Sequence, residues 1–389
     1  MRSESRVSGG FVPRLAALYA ALFILPGIAM PFFPIWLKAK EVDAKLIGIV
    51  LAVPMIARML AIPVVAREAD RREAVRSALI IASVATVAGY ALVGLSAGVV
   101  AILVAYTLTS LFSTPLMPLA ETYALKGLMA RKRAYGPVRL WGSFAFIVGN
   151  LAAGFAADII PPQHLIWLMV AASALVALAA WELAPLPKTV ADEGAKALLR
   201  QKSLRDPAFI AVLAAASLIQ ASHAVFYSFS AVQWHAAGLD GVVIAALWAL
   251  GVAAEIVLFA VQSRLPPFFT PTVMIMTGAA GGTLRWLGMA MDPPTLALPW
   301  LQLLHALSFG ATHLGALMFL AHHAPAGQAA TAQGYLAITA GFAMAAAMGI
   351  SGVLFEDFGS RAYAAMALTA LAGGACGFVA HRMWREAAR

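Results

Sequence analysis

APLPKTVADEGAKALLRQKSLRDP, residues 184 to 207, is the longest polar interval in a chain of 389 residues. The sequence on either side of it is apolar, and the whole chain is 62% hydrophobic and only 12% charged. An ordinary soluble domain carries about twice that share of charge. Stretches of about 20 apolar residues, long enough to cross a bilayer core at roughly 1.5 Å per helical residue, recur along the entire length. They fall near 14–37, 46–66, 76–94, 97–125, 136–157 and 164–183 before the polar interval, and near 208–235, 242–262, 271–291, 296–321, 329–354 and 361–381 after it. The sequence therefore predicts an all-α membrane protein of twelve transmembrane helices. Two six-helix bundles, 1–183 and 208–389, are joined by a cytoplasmic linker at 184–207.

The first stretch follows Arg2, Arg6 and Arg14 as a signal peptide would, but Leu15 to Leu37 is too long for a cleavable apolar region, so a retained helix is expected. A net charge of +9 would point to nucleic acid in a soluble protein; in a membrane protein its distribution reports topology. With both termini on one side, that side receives twenty Lys and Arg residues. They include Arg67, Arg71, Arg72 and Arg76, Lys126, Arg131 to Arg133, the five of the linker, Arg264, Arg382, Arg385 and Arg389. The other side has Lys38, Lys40, Lys45 and Arg361. The positive-inside rule then places both termini in the cytoplasm, and a multi-pass protein of the inner (plasma) membrane is expected. The single cysteine, Cys376, has no partner for an intramolecular disulfide.

Five ionisable residues remain within the apolar stretches: Arg58, Glu121, Arg139, Glu255 and Arg285. Each costs about 2.5 to 3.5 kcal/mol at a helix centre, so they are expected to face one another or water. Ala130 lies nine residues from both Glu121 and Arg139, so an antiparallel hairpin brings the two charges to one depth, where they can pair. Glu255 and Arg285 lie twelve and eighteen residues from the turn near 267, a mismatch of about 9 Å along the axes. Direct pairing is disfavoured there. A carboxyl left in apolar surroundings can exchange a proton near neutral pH, which makes Glu255 the first candidate for proton carrier. Three arginines against two glutamates leave a shared cavity about one charge positive, and a guanidinium fork suits a carboxylate as no neutral sugar can. The seventh stretch adds His223, Phe226, Tyr227 and Trp234, and the tenth adds His305 and His313. This lining fits an aromatic ring with a polar end, though aromatic residues are common in any membrane core.

Two six-helix bundles with a charged connection are the layout of major facilitator transporters. The loop at Ala69-Asp70-Arg71 resembles part of their loop signature. Pro31-Phe32-Phe33-Pro34-Ile35-Trp36-Leu37 looks like the end of the first helix of lactose permeases, and Glu121, Arg139 and Leu140-Trp141-Gly142 match their substrate-binding motif in order and spacing. A closer resemblance, over nearly the whole chain, is to the phenylpropionic acid permease family. It is carried by Val53 to Arg58, Tyr135 to Ser143, Gln220 to Trp234, Leu247 to Glu255, Arg285-Trp286, Ala297-Leu298-Pro299-Trp300, and His305 with His313. Where lactose permeases have their coupling glutamate three residues after the helix 10 histidine, this chain has Ser308. The helix 8 glutamate is displaced by about one turn from the lactose permease position, and Arg58 has no charged counterpart there.

The expectation that follows is a secondary transporter, taking up a small organic anion such as phenylpropionate with a proton by alternating access. Arg58, Glu121, Arg139, His223, Tyr227, Arg285 and His305 are the candidate substrate contacts, and Glu255, Glu121 and His305 the candidate proton carriers. A proton gradient is the energy source, with no cofactor and no metal. The expected partners are the small-molecule substrate and membrane lipid, without nucleic acid, and the chain is expected to act as a monomer. A sugar or nucleoside symporter of the same fold, or an exporter, are the alternatives. The one route to an enzyme runs through His223, His305 and His313 as haem ligands. No His-Glu-x-x-His or Gly-x-x-x-x-Gly-Lys motif is present, so an enzyme is not expected.

Overall fold

The computed structural model describes residues 10–71, 74–133, 135–185, 206–323 and 329–387; for 60–71, 329–330 and 385–387 it describes the backbone alone. Arg2, Arg6, Arg72, the five basic residues of the linker and Arg389 lie outside the described residues, as do the side chains of the Ala69-Asp70-Arg71 signature.

All twelve predicted spans are met by helix. The first three are α1 (Phe11–Ala39), α2 (Ala44–Arg71) and α3 (Val75–Leu95). The fourth is broken into α4 (Val99–Ser113) and α5 (Leu116–Met129), followed by α6 (Gly136–Ala157) and α7 (Ile166–Trp181). The seventh is broken into α8 (Pro207–Ala221) and α9 (Ala224–Ala236), followed by α10 (Gly241–Val261) and α11 (Pro271–Ala290). The tenth consists of α12 (Leu298–Leu303), a π-helical segment (Ala306–Ala311) and α13 (Thr312–His323), before α14 (Ala329–Phe358) and α15 (Ala362–Ala387). Among the described residues, nine helical stretches are long and apolar enough to cross a membrane, and one of these, Thr331–Trp384, runs through both α14 and α15.

The helices are apolar around their circumference because the outer face meets lipid instead of water. Leu95, Leu178, Leu284 and Leu368 stand outward with more than half of their surface exposed. Together with the run of apolar helices this makes the chain an integral membrane protein. The break between α4 and α5 has a local cause: Pro115 precedes Leu116 and has no N–H to give to the preceding turn. Pro26, Pro31 and Pro34 are carried inside α1, as membrane helices allow.

Contacts divide the chain into two compact units. Unit 1 comprises residues 1–191 with the segment Trp234–Ala246, and unit 2 comprises 192–233 with 247–389. In unit 1, α1 packs on α6 and α7, and α3 on α4 and α7. Its core gathers Leu15, Leu18, Tyr19, Leu79, Leu119, Tyr123 and Val176, all fully buried or nearly so. At one end Arg76 caps the exit of α7, giving Nε to Leu183 O at 2.6 Å and Nη2 to Trp181 O at 2.9 Å. At the other, the Asp158 carboxylate after α6 accepts from Gly241 N and, at 3.1 Å, from Val242 N, filling the N-terminal donors of α10. Asn150 Nδ2 donates to Ala245 O at 3.0 Å beside it. Glycine is required on both sides of this contact, since a Cβ on Gly154 would stand 2.5 Å from Gly241 O.

In unit 2, α15 packs on α8 and α11, and α14 on α8. The core includes Phe209, Val212, Ile219, Ile275, Phe319 and Leu320. Gly373 brings α15 against α8, where a Cβ would meet Ala215 O at 2.9 Å, so the small-residue pair Gly373 and Gly377 serves close helix packing.

Candidate functional site

The two breaks in unit 2 each deliver a histidine to the interior. Membrane helices are interrupted only where the freed backbone groups find other partners, and such points mark binding sites in transporters. At the end of α8, Ser222 Oγ turns back to Ile219 O at 2.6 Å. The His223 ring follows, with Nδ1 against Ile219 O at 3.2 Å and Gln220 O at 3.1 Å. Carbonyls only accept, so Nδ1 carries the ring hydrogen and Nε2 is left as an acceptor. It takes the Ser308 hydroxyl at 3.1 Å.

His305 stands at the entry to the π-helical segment of the tenth span, and a π-helical turn of this kind is frequent at functional sites. Gln302, His305 and Ser308 recur at every third residue and therefore share a face. All three meet Arg285 of α11, which is 1% exposed. The guanidinium gives Nη2 to Gln302 Oε1 at 2.6 Å, Nη1 to His305 Nδ1 at 3.0 Å and, at the long limit of 3.5 Å, Nη1 to Ser308 Oγ. It lies over the rings of Phe226 at 4.4 Å and Trp286 at 4.6 Å, where cation-π attraction offsets part of the cost of burying the charge. Trp286 is itself fixed by a bond from Nε1 to Ser222 Oγ at 2.9 Å. Tyr227 stacks on His223 with centroids 5.5 Å apart.

Glu255 of α10 completes the cluster, with Oε2 3.7 Å from His305 Nε2. Two glycines permit the approach. A Cβ at Gly251 would stand 3.3 Å from His305 Cβ, and one at Gly310 would stand 3.3 Å from Glu255 Cγ. A guanidinium can only donate, so His305 Nδ1 is an acceptor and the ring is neutral, with its hydrogen on Nε2 facing the Glu255 carboxylate. This corrects the expectation of apolar surroundings for Glu255. The unequal offset of Glu255 and Arg285 from their turn is spanned by the imidazole between them.

The charges of unit 1 are arranged differently. Arg139, in the first turns of α6, holds its guanidinium over Phe23 at 4.2 Å and Tyr19 at 5.9 Å. Tyr19 Oη donates to Tyr135 Oη at 3.2 Å. Glu121 of α5 lies within electrostatic reach of both Arg139 and Tyr19. Among the described residues no ion pair joins Glu121 to Arg139, which corrects the expected pairing: the aromatic faces of α1 take the guanidinium instead. Arg58 of α2 has Tyr106 of α4 as its electrostatic neighbour, and the Tyr106 ring tilts against Phe33 at 4.4 Å. Of the five charges, Arg58, Glu121 and Arg139 thus lie in unit 1, the last two within electrostatic reach of each other, and Glu255 and Arg285 lie in unit 2. His313 sits beyond the cluster, stacked on Phe309 at 5.9 Å, and Trp234 belongs to unit 1. Gln302, Ser308 and Trp286 were not among the sequence candidates; the three-residue spacing of Gln302 and Ser308 about His305 was the signal that could have found the first two.

A family model described as the MFS_1 like family matches residues 12–365. The chain is 30% identical over 367 residues to a probable 3-phenylpropionic acid transporter of Escherichia coli (strain K12), covering 92% of this chain and 94% of that one. It is 26% identical to a maltose permease of Geobacillus stearothermophilus over 79% of this chain and 78% of the other. Among solved structures it is similar in fold to the nucleoside transporter NupG, with a TM-score of 0.82 at 16% identity, covering 96% of this chain and 98% of that one. A bacterial homolog of the human lysosomal transporter Spinster gives 0.75 at 15% identity, covering 95% and 96%.

Proposed function

The chain belongs to the MFS_1-like family of membrane transporters, which are not enzymes, and from that premise we propose that it imports an aromatic carboxylate such as phenylpropionate together with a proton. The observation that carries this is the buried Arg285, lying against the rings of Phe226 and Trp286 and linked through His305 to Glu255. A carboxylate matches the guanidinium and an aromatic ring matches its walls. His223 and Tyr227 shape the same site from the broken seventh span. Arg139, Glu121 and Arg58 are proposed as further substrate contacts, carried by unit 1.

The coupling follows from a count of charge. With Glu255 ionised and His305 neutral, Arg285 and Glu255 cancel. Protonating Glu255 leaves the cluster one charge positive, and one monocarboxylate returns it to zero. Proton and anion therefore favour each other's binding, by the reciprocity that any such linkage obeys. Glu255 exchanges the proton, and His305 transmits its state to Arg285 through the opposite ring nitrogen. Alternating access between two bundles delivers both to the other side. The excess of basic residues on the side of the termini supports an inner-membrane location with both termini cytoplasmic.

The similarity to a maltose permease favours a second reading, a sugar symporter of the same fold. A thermal-shift screen of the purified protein against aromatic acids, neutral glycosides and nucleosides separates them. Stabilisation by phenylpropionate and its analogues is expected, and a response to glycosides alone would overturn the assignment.

A further inference from the structure

Arg285 and Gln302 are 1% and 0% exposed, yet Arg285 Nε and Gln302 Nε2 have no hydrogen-bond partner among the described residues. Two further groups of the same cluster share this condition. Tyr363 Oη is buried without a partner, and its ring stacks 5.9 Å from Trp286, over which the guanidinium lies. Trp248 Nε1 is also buried without one, and its ring stacks 4.8 Å from Phe226, the other wall of Arg285. Buried donors left unpaired cost stability and are rare. All four of these can donate, and what the cluster lacks is an acceptor.

We propose that Gln302 is the specificity residue of the site and that its amide oxygen holds the position of one oxygen of a substrate carboxylate. The substrate carboxylate takes Arg285 Nη2 from Gln302 Oε1 and takes the unfilled Nε as the second tine of the fork. The released amide then donates Nε2–H to the same carboxylate, and the aromatic ring of the substrate packs with Phe226, Trp248 and Trp286. Because the amide occupies Nη2 until an acid replaces it, a neutral isostere finds Nε alone and not the fork. This rests on the aromatic-acid function proposed above and adds to it the residue that selects for the acid.

The test is isothermal titration of the full-length protein in detergent with 3-phenylpropionate and with neutral 3-phenylpropionamide. The wild type should bind the acid at least tenfold more tightly than the amide. In Q302E the introduced carboxylate pairs with Arg285 while it is ionised, so acid affinity at neutral pH should fall at least tenfold while amide affinity stays within about threefold. The loss should shrink as the pH falls and that carboxyl takes up a proton, a recovery that misfolding would not show. In Q302N the shorter amide falls short of Nη2 and leaves it open to either ligand, so the preference for the acid over the amide should narrow at least threefold. If the wild type binds the acid and Q302E does so equally well, the role of Gln302 is overturned while aromatic-acid transport stands. If the wild type prefers the amide, or binds neither compound, both fall.

Discussion

Replacing Arg285 by lysine keeps the charge and removes the fork. Arg285 reaches Gln302 Oε1 at 2.6 Å and His305 Nδ1 at 3.0 Å through two nitrogens held in one plane, and a single ammonium can keep one of these bonds at best. One charge-assisted hydrogen bond is worth about 1.5 to 3 kcal/mol, so R285K should lose that much stability from the free protein. The same loss applies to a bound carboxylate, whose second oxygen no longer finds a donor. At about 1.4 kcal/mol per decade, the Kd for 3-phenylpropionate should rise roughly 10- to 150-fold. The Kd for 3-phenylpropionamide should change by less than about threefold, because an amide draws little from the charge. Titration calorimetry of both ligands against wild type and R285K, with thermal unfolding to establish that the variant is folded, measures each quantity. A folded R285K that binds the acid within about threefold of wild type would refute the placement of the carboxylate on Arg285.

Glu255→Gln fixes the cluster in its proton-loaded charge state, so phenylpropionate should still bind and exchange across proteoliposomes, with an affinity that no longer varies between pH 6 and 8 and no accumulation driven by a pH gradient; pH-dependent binding in this variant would move the proton site elsewhere. Gly251→Val pushes against His305, whose Cβ a substituent Cβ would already approach to 3.3 Å, and overpacking of this kind costs about 1 to 3 kcal/mol. It should abolish coupled uptake, whereas Gly334→Ala, where a Cβ meets nothing within 4 Å, should leave uptake intact. Asp158→Ala removes the acceptor of the first two N–H groups of α10 and should destabilise the protein by about 0.5 to 2 kcal/mol, read as a lower unfolding temperature in detergent.

The helical spans were legible because lipid imposes a length and a hydropathy that no side chain can disguise. The breaks were less so. Pro115 announces the interruption of the fourth span, but Ser222 and His223 carry no comparable signal, and the interruption there depends on a side-chain bond back to Ile219 O. The intramembrane charges were found by their cost, which is why Arg285 and Glu255 stood out and neutral Gln302 and Ser308 did not. Their importance lies in what they hold, a guanidinium and an imidazole tautomer, and that is a property of the folded cluster. The pairing of Glu121 with Arg139 was inferred from equal depth along a hairpin. Depth fixes height but not azimuth, and Phe23 and Tyr19 of α1 stand where the guanidinium turns.

The central claim is that one proton and one aromatic carboxylate enter together. Uptake of labelled 3-phenylpropionate into proteoliposomes under an imposed pH gradient, alkaline inside, tests it directly. Accumulation above equilibrium that collapses with a protonophore, accompanied by alkalinisation of the medium on adding substrate, is the predicted result. Uptake that equilibrates at the same rate and level with or without the gradient would contradict it.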